Sequence, residues 1–305
     1  WSEMSRGVAG KMQLIRFCRQ DGTLGWGLNT PVGVQDLTAS DPTLPKSMIQ
    51  VIDQWDTLLP RIQRLSLRLG VVEEPVSLLC PLDRPGKIFG VGLNYHDHAA
   101  EGGRSIGEEP VIFSKMPTSL SGPFDPILLP PQSKQVDYEA ELVVVIGRKV
   151  RWADTKEAAE SIFGYAVGND VSARDWQKGK PGGQWLLGKS FDSFAPIGPG
   201  ITLASSLRNP LDLKIELRIG DQRLQDSSTS QMVFTPVALV EYLSSVLTLE
   251  TGDIIFTGTP SGVGVARTPP RFLSDGDLVE VTIESLGTIR NRCHRQSDPR
   301  VERLS

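Results

Sequence analysis

Along most of this chain apolar and polar residues alternate with a period of two, and only a few stretches switch to the helical spacing of three and four. Residues 11–38 read as three short strands, "KMQLIRF", "DGTLGWGL" and "GVQDL", with Asp21-Gly22 as the turn signal. Residues 47–69 carry the helical spacing and predict two short helices divided around Pro60. The proline-bearing "EEPVSLLCPLDRPGK" predicts a connection. The pattern therefore divides the chain into a small N-terminal α/β domain, residues 1–83, and a larger domain, residues 84–305.

The larger part is rich in strands. "KIFGVGLNY", "VIFSK", "ELVVVIG", "GYAVGNDVS", "LKIELRIG", "DIIFTGTP" and "LVEVTIESLG" are each bounded by Gly, Pro, Asp or Asn. Two helices interrupt them. One follows Asp154, where Glu157 completes a capping-box pattern, and one follows Thr235-Pro236, an N-cap with proline in the first helical position. Strands and helices do not alternate regularly, so the pattern predicts a strand-rich α+β fold and not a doubly wound parallel sheet. The arginine-rich end, "IRNRCHRQSDPRVERLS", reads as a solvated tail.

Composition narrows the function classes. The 305 residues are 39% hydrophobic and 22% charged, with a net charge of −4, which gives no reason to expect a nucleic-acid or membrane-surface partner. No apolar run approaches the roughly 18 residues of a spanning helix; the longest candidate is Leu142 to Ile146. Three cysteines, Cys18, Cys80 and Cys293, are too few and too scattered for a disulfide framework or a zinc cluster, and fit a reducing compartment. The chain opens at Trp1, with Met4 and Met12 as internal starts, as expected of either a processed chain or a fragment.

Candidate chemistry concentrates in "QVDYEAELVVVIG". On one strand Asp137, Glu139 and Glu141 share a face, where three like charges repel unless a cation offsets them. The alternative is an exposed acidic sheet edge. The run into "LVVVIG" leads to a buried sheet and favours a site for Mg²⁺, Mn²⁺ or Ca²⁺, the cations that oxygen-only ligands select. Asp170, at the end of an apolar strand, reads either as a further ligand or as a turn residue. His98 and Glu101, three apart, become neighbours if their segment is helical, and a carboxylate beside imidazole makes a base poised near neutrality; a structural histidine is the alternative. The His96-x-His98 pair lacks the spacing and the downstream histidine of a cupin set. "TGTPSGVG" fits neither a P-loop nor a dinucleotide fingerprint, but its amides and the Thr257 and Thr259 hydroxyls suit a carboxylate.

Taken in order, "GLNYHDHAAEGG", "FSKMPTSLSGPFDPILLPPQSKQVDYEAELVVVIG", "NDVSARDWQ", "QWLLGKSFDSFAPIGP" and "GDIIFTGTPSGVGV" resemble the fumarylacetoacetate hydrolase superfamily over roughly residues 84 to 290. The resemblance implies a mixed β-roll catalytic domain, a homodimer, and a divalent cation held by Glu139, Glu141 and Asp170, with Asp137 supporting from behind. It maps the family's His–Glu pair, on a mobile lid segment, onto His98 and Glu101, and the family's lysine and glutamine onto Lys189 and Gln177. Arg174 and Lys115 take supporting charges, and Thr257, Gly258 and Thr259 a substrate loop. Leu93 departs from relatives that carry arginine there, removing one carboxylate anchor.

The family's reactions share one physical idea: a cation chelates a carboxylate and the adjacent keto oxygen and stabilises the enolate that forms. The expected activity is keto–enol tautomerisation of oxaloacetate, a small 2-oxo dicarboxylic acid. C–C hydrolysis of acylpyruvate- or fumarylacetoacetate-type acids comes next, then oxaloacetate decarboxylation. A metal-dependent ligand-binding dimer with little activity is the reading from outside enzymology. The resemblance also favours the mitochondrial matrix, with the cytoplasm as the alternative.

Overall fold

The computed structural model describes residues 12–72, 76–101 and 107–297. Trp1 and Met4, residues 73–75 of the proline-bearing connection, and residues 298–305 of the arginine-rich end lie outside the described residues.

Two stacked sheets and a few helices make a strand-rich α+β fold. The large sheet runs, in spatial order, Gly33–Asp36, Leu24–Thr30, Gln13–Cys18, Ala195–Leu203, Ile162–Asn169, Ala140–Ile146, Ile254–Phe256, Ile88–Gly92 and Val111–Lys115. Most pairs are antiparallel, but Ile254–Phe256 runs parallel to Ile88–Gly92, so the sheet is mixed. The second sheet runs Gln222–Ser228, Lys214–Ile219, Leu278–Ile283, Gly287–Arg295 and Ile127–Leu129.

The central strand Ala140–Ile146 explains how these layers pack. All seven of its residues are buried, as an unbroken apolar run requires of a strand covered on both faces. Leu142, Val144 and Ile146 join the core shared with the second sheet and the helices Thr155–Ser161 and Pro236–Val246. Val143 and Val145, on the opposite face, join a second core with Met48, Val51, Ile52, Trp55, Leu58 and Ile62 from the N-terminal helices. The boundary expected near residue 83 falls between the strands Ser77–Leu79 and Ile88–Gly92; sheet and second core both run across it.

Local signals set most element ends. Asp154 accepts from the Glu157 amide at 2.8 Å while Glu157 accepts from the Asp154 amide, completing the capping box. Thr235 caps Pro236–Val246 through the Ala238 amide at 3.2 Å.

Three expectations are corrected. The N-terminal helices, Met48–Asp53 and Trp55–Ser66, divide at Gln54, and Pro60 sits inside the second. Proline forfeits one helical hydrogen bond there, and the buried face of Trp55, Leu58 and Ile62 outweighs that loss. The proline-bearing connection contains the strand Ser77–Leu79, which pairs with Gln13–Cys18. The start of the arginine-rich end is the strand Gly287–Arg295, paired on both sides, with Ile289, Asn291 and Cys293 buried between its exposed arginines. Its two-residue period was present but masked by the charge.

Candidate active site

The acids of "DYEAE" do not lie on one regular strand. Val136–Asp137 pairs with Ser172–Ala173 in a separate ribbon, and the ladder of the central strand starts at Ala140. Asp137 is fully buried; its carboxylate accepts from the amides of Gly264 at 2.7 Å and Val265 at 3.0 Å and from Arg174 Nε at 2.8 Å. Glu139, Glu141 and Asp170 gather instead, each buried, with ligand oxygens within 4.8 Å of one another. Ala140 pairs with Asn169, which brings Asp170, at the end of its strand, beside the two glutamates.

Three buried cations surround these acids. Lys189 Nζ lies 2.5 Å from Glu139 Oε2 and 2.6 Å from Asp170 Oδ2, Lys115 Nζ lies 2.6 Å from Asp170 Oδ1, and Arg174 reaches Glu139 at 2.6 Å. Burial by itself would raise the Glu139 carboxyl, but Lys189 and Arg174 hold it far below the usual range. Glu141, two residues on, moves the other way: burial and then the charges of Asp170 and Glu139 push it well above its ordinary value. Its carboxyl accepts a hydrogen bond from the Gly258 amide at 2.7 Å. Burial favours neutral Lys189, yet Asp170 and Glu139 raise it and keep it an ammonium; at Lys115 burial prevails and the value falls.

Four buried carboxyls, Asp137 included, thus face three buried cations, and the deficit is at Glu141. An all-oxygen triad with one uncompensated charge fits a hard divalent cation, and residues Glu139, Glu141 and Asp170 are the ones placed to hold it. With that charge added the pocket becomes net positive, which suits an acid.

A cavity of about 240 Å³ opens onto Glu139 and Glu141 of the triad. Glu139, Glu141, Lys189, Arg174, Gln177 and Thr259 line its floor, and His98 and Glu101 its rim. His98 and Glu101 meet on the helix His96–Glu101, Nδ1 lying 3.4 Å from Oε2, the i,i+3 contact that the spacing predicts. Arg174 donates to Gln177 Oε1 at 2.9 Å, which fixes that amide. Leu93 lines the wall at a left-handed φ of +56°, uncommon for a bulky side chain, so this position supplies an apolar surface and no anchoring charge.

Four of the candidates do not line the cavity, and Asp170 of the triad is one of them. The Thr257 hydroxyl donates to the Leu142 carbonyl at 2.9 Å, the Gly258 amide is spent on Glu141, and Lys115 stands behind Asp170. The glycines of the loop serve close packing. A Cβ on Gly258, at φ +94°, would stand 2.8 Å from the Asn94 Cβ, and one on Gly262, at φ +100°, 2.1 Å from the Leu224 carbonyl.

Sequence reasoning missed other members. Phe113 and Trp185, ring centroids 5.5 Å apart, form the apolar wall; Trp185 lies one helical turn before Lys189, a spacing that was readable. Asp97 accepts from the Ser261 amide at 3.3 Å and Glu101 from the Gly262 amide at 3.0 Å, tying the helix to the glycine loop, and Asp97 also accepts from the Ser227 hydroxyl of a second-sheet strand at 2.7 Å. Partners so far away in sequence leave no local signal.

A mixed-sheet fold with a buried all-carboxylate cation site, a lysine across two of its acids and a His–Glu pair at the rim defines a class of metal-dependent enzymes that act on small acids. The model of the C-terminal domain of fumarylacetoacetate hydrolase matches residues 87–294, and the chain belongs to the fumarylacetoacetate hydrolase family. It is 46% identical over 262 residues to oxaloacetate tautomerase FAHD2B, mitochondrial, of Bos taurus, covering 85% of this chain and 83% of that one. The same figures hold for oxaloacetate tautomerase FAHD2A, mitochondrial, of Homo sapiens. Maleylpyruvate hydrolase from Sphingobium sp. SYK-6, solved with manganese(II) and pyruvate, aligns at a TM-score of 0.77 and 31% identity over 94% of this chain and all of its own.

Proposed function

We propose that this protein is a divalent-cation-dependent keto–enol tautomerase of oxaloacetate. The observation that carries the reading is one small cavity lined by Glu139 and Glu141, which meet Asp170 behind them, by Lys189 and by the His98–Glu101 pair, in a chain 46% identical to proteins named for that activity. Bound at the triad, a divalent cation supplies Lewis-acid stabilisation of negative charge on the substrate's oxygens.

The chain's own residues do the rest. Glu101 beside Nδ1 of His98 holds the ring with its proton on that side, leaving Nε2 as the base that exchanges a proton with substrate C3. Lys189 Nζ, kept charged by Glu139 and Asp170, presents an ammonium proton next to the acids. Arg174, held by Asp137 and Glu139, adds a fixed positive charge to the floor. Phe113, Trp185 and Leu93 form an apolar wall that limits water at C3, as a proton shuffle without hydrolysis requires.

In the same reading Mg²⁺ is the working ion, with Mn²⁺ and Ca²⁺ as competitors, and the protein works as a homodimer; its place is the mitochondrion, the compartment its relatives' names give. Residues 84–305 form the catalytic part, since every site residue follows residue 83, and residues 1–83 support it.

The test follows loss of enol-oxaloacetate by ultraviolet absorbance, with Mg²⁺ and then with EDTA, while pyruvate is assayed separately. Rapid cation-dependent loss without matching pyruvate is the expected result. No acceleration over the metal-only blank sinks the tautomerase and makes acylpyruvate-type hydrolysis the leading reading, which the likeness to a maleylpyruvate hydrolase supports. Pyruvate formed in step with enol loss identifies decarboxylation.

A further inference from the structure

Gln225 lies in the strand Gln222–Ser228, outside every motif of the sequence reading, and is 1% exposed. Its amide bridges three elements. Oε1 accepts from the Ala140 amide at 2.9 Å; Nε2 donates to Thr259 Oγ1 at 2.8 Å and to the Pro260 carbonyl at 2.9 Å. Ala140 N–H is only a donor and the Pro260 carbonyl only an acceptor, so both ends fix the amide's orientation. A side-chain amide nitrogen offers nothing but donors, so Thr259 Oγ1 accepts, and its single proton is left for another partner. Thr259 is 4% exposed and lines the cavity, and Ala140 sits between the two glutamates of the triad.

We propose that Gln225 is a positioning residue that makes the Thr259 hydroxyl a dedicated donor to a carboxylate oxygen of the bound acid. It also fixes the distance between that donor and the triad, because one amide grips both the loop and the backbone between Glu139 and Glu141. The inference deepens the tautomerase reading and rests on it for the identity of the substrate. Its physical content is a direction: a buried hydroxyl that accepts from the protein is a donor toward the ligand, whereas one that donates to the protein presents lone pairs and repels an anion.

The test is a double-mutant cycle on the full chain. Gln225→Glu keeps an acceptor for Ala140 but offers an oxygen that captures the Thr259 proton; Thr259→Val removes the hydroxyl, and Thr259→Ser keeps it. Binding of oxalate in the presence of Mn²⁺ is measured by calorimetry, Mn²⁺ affinity alone by electron paramagnetic resonance, and KM and kcat for oxaloacetate by enol absorbance. We expect Q225E and T259V each to weaken oxalate and raise KM about tenfold or more, with a smaller change in kcat, since a hydrogen bond to a charged group is lost. T259S stays near wild type, and Q225E/T259V binds oxalate no more weakly than T259V.

Penalties that multiply in the double variant, an unchanged oxalate affinity in Q225E, or a wild-type protein that takes up no oxalate with Mn²⁺ each overturn the proposal. Gln225→Met, uncharged and of equal length, runs in parallel in case the buried glutamate prevents folding; its penalty must likewise vanish in the T259V background. The oxalate series reads Gln225 whether or not the wild-type protein tautomerises oxaloacetate, so the two readings fail separately.

Discussion

The central strand and the acids leading into it contain two regions of equal burial and opposite chemistry. From Leu142 to Ile146 every side chain is apolar and packs into one of two dry cores, so burial there stabilises the fold at roughly 25 cal/mol per Å². From Asp137 to Glu141 burial costs free energy, and Lys189, Arg174 and four backbone amides offset part of the cost. The dry end holds the sheet together; the charged end is supported by it and carries the chemistry. A strand anchored in two cores can hold like charges a few ångströms apart without unfolding, which a surface strand cannot.

Four variants test that contrast. His98→Ala is expected to lower the tautomerase rate by about 10²–10⁴-fold with no change in thermal midpoint, the scale of a lost acid–base group. An intact rate in that variant removes the proton-shuttle role. Glu141→Gln should cost about 10²–10³-fold in rate and abolish tight Mn²⁺ binding, as loss of preorganised charge stabilisation does.

The same Glu141 variant should leave the metal-free protein equally or more stable. A carboxyl raised above its unfolded value, about 4.3, destabilises the fold increasingly as pH climbs from that value toward the folded one. That destabilisation grows as pH rises in the metal-free wild type and is absent from E141Q, so the stability gap between the two widens from pH 5 to pH 8; denaturation with EDTA at both checks this. Lower stability in E141Q would erase the distinction between the two ends.

Ile146→Ala, at the dry end, is expected to cost about 2–5 kcal/mol of stability while kcat below the melting range is kept. The smallest effect lies at the N-terminal edge. Asp36 is lowered: burial would raise it, but Arg19, whose Nε lies 2.7 Å away, and the Ala39 amide prevail. Its contribution is present above the unfolded value of about 3.9 and lost as pH falls through the folded one, opposite in sign to Glu141. Asp36→Ala should cost about 1 kcal/mol at pH 7, as a lost helix cap does, and progressively less as the pH is taken down below the unfolded value.

Much of this was legible in the chain. The period of two located the strands, the capping patterns at Asp154 and Thr235 placed two helices, and the i,i+3 spacing of His98 and Glu101 announced their contact. Errors arose where long-range packing overrode a local signal: Pro60 inside a helix held by its buried face, and a charged C-terminal stretch captured as a strand between two neighbours.

The order of residues by itself determined that a two-sided buried strand is entered by closely spaced acids, because alternation and hydrophobicity act over a few residues. It did not determine which acids meet. Asp137 is drawn off to Arg174 and the glycine loop, Asp170 arrives through pairing with a neighbouring strand, and Gln225 reaches Thr259 from the edge of the second sheet. Those contacts join residues far apart in the chain, and directional hydrogen bonds between such partners exist only once both cores have fixed the layers in place.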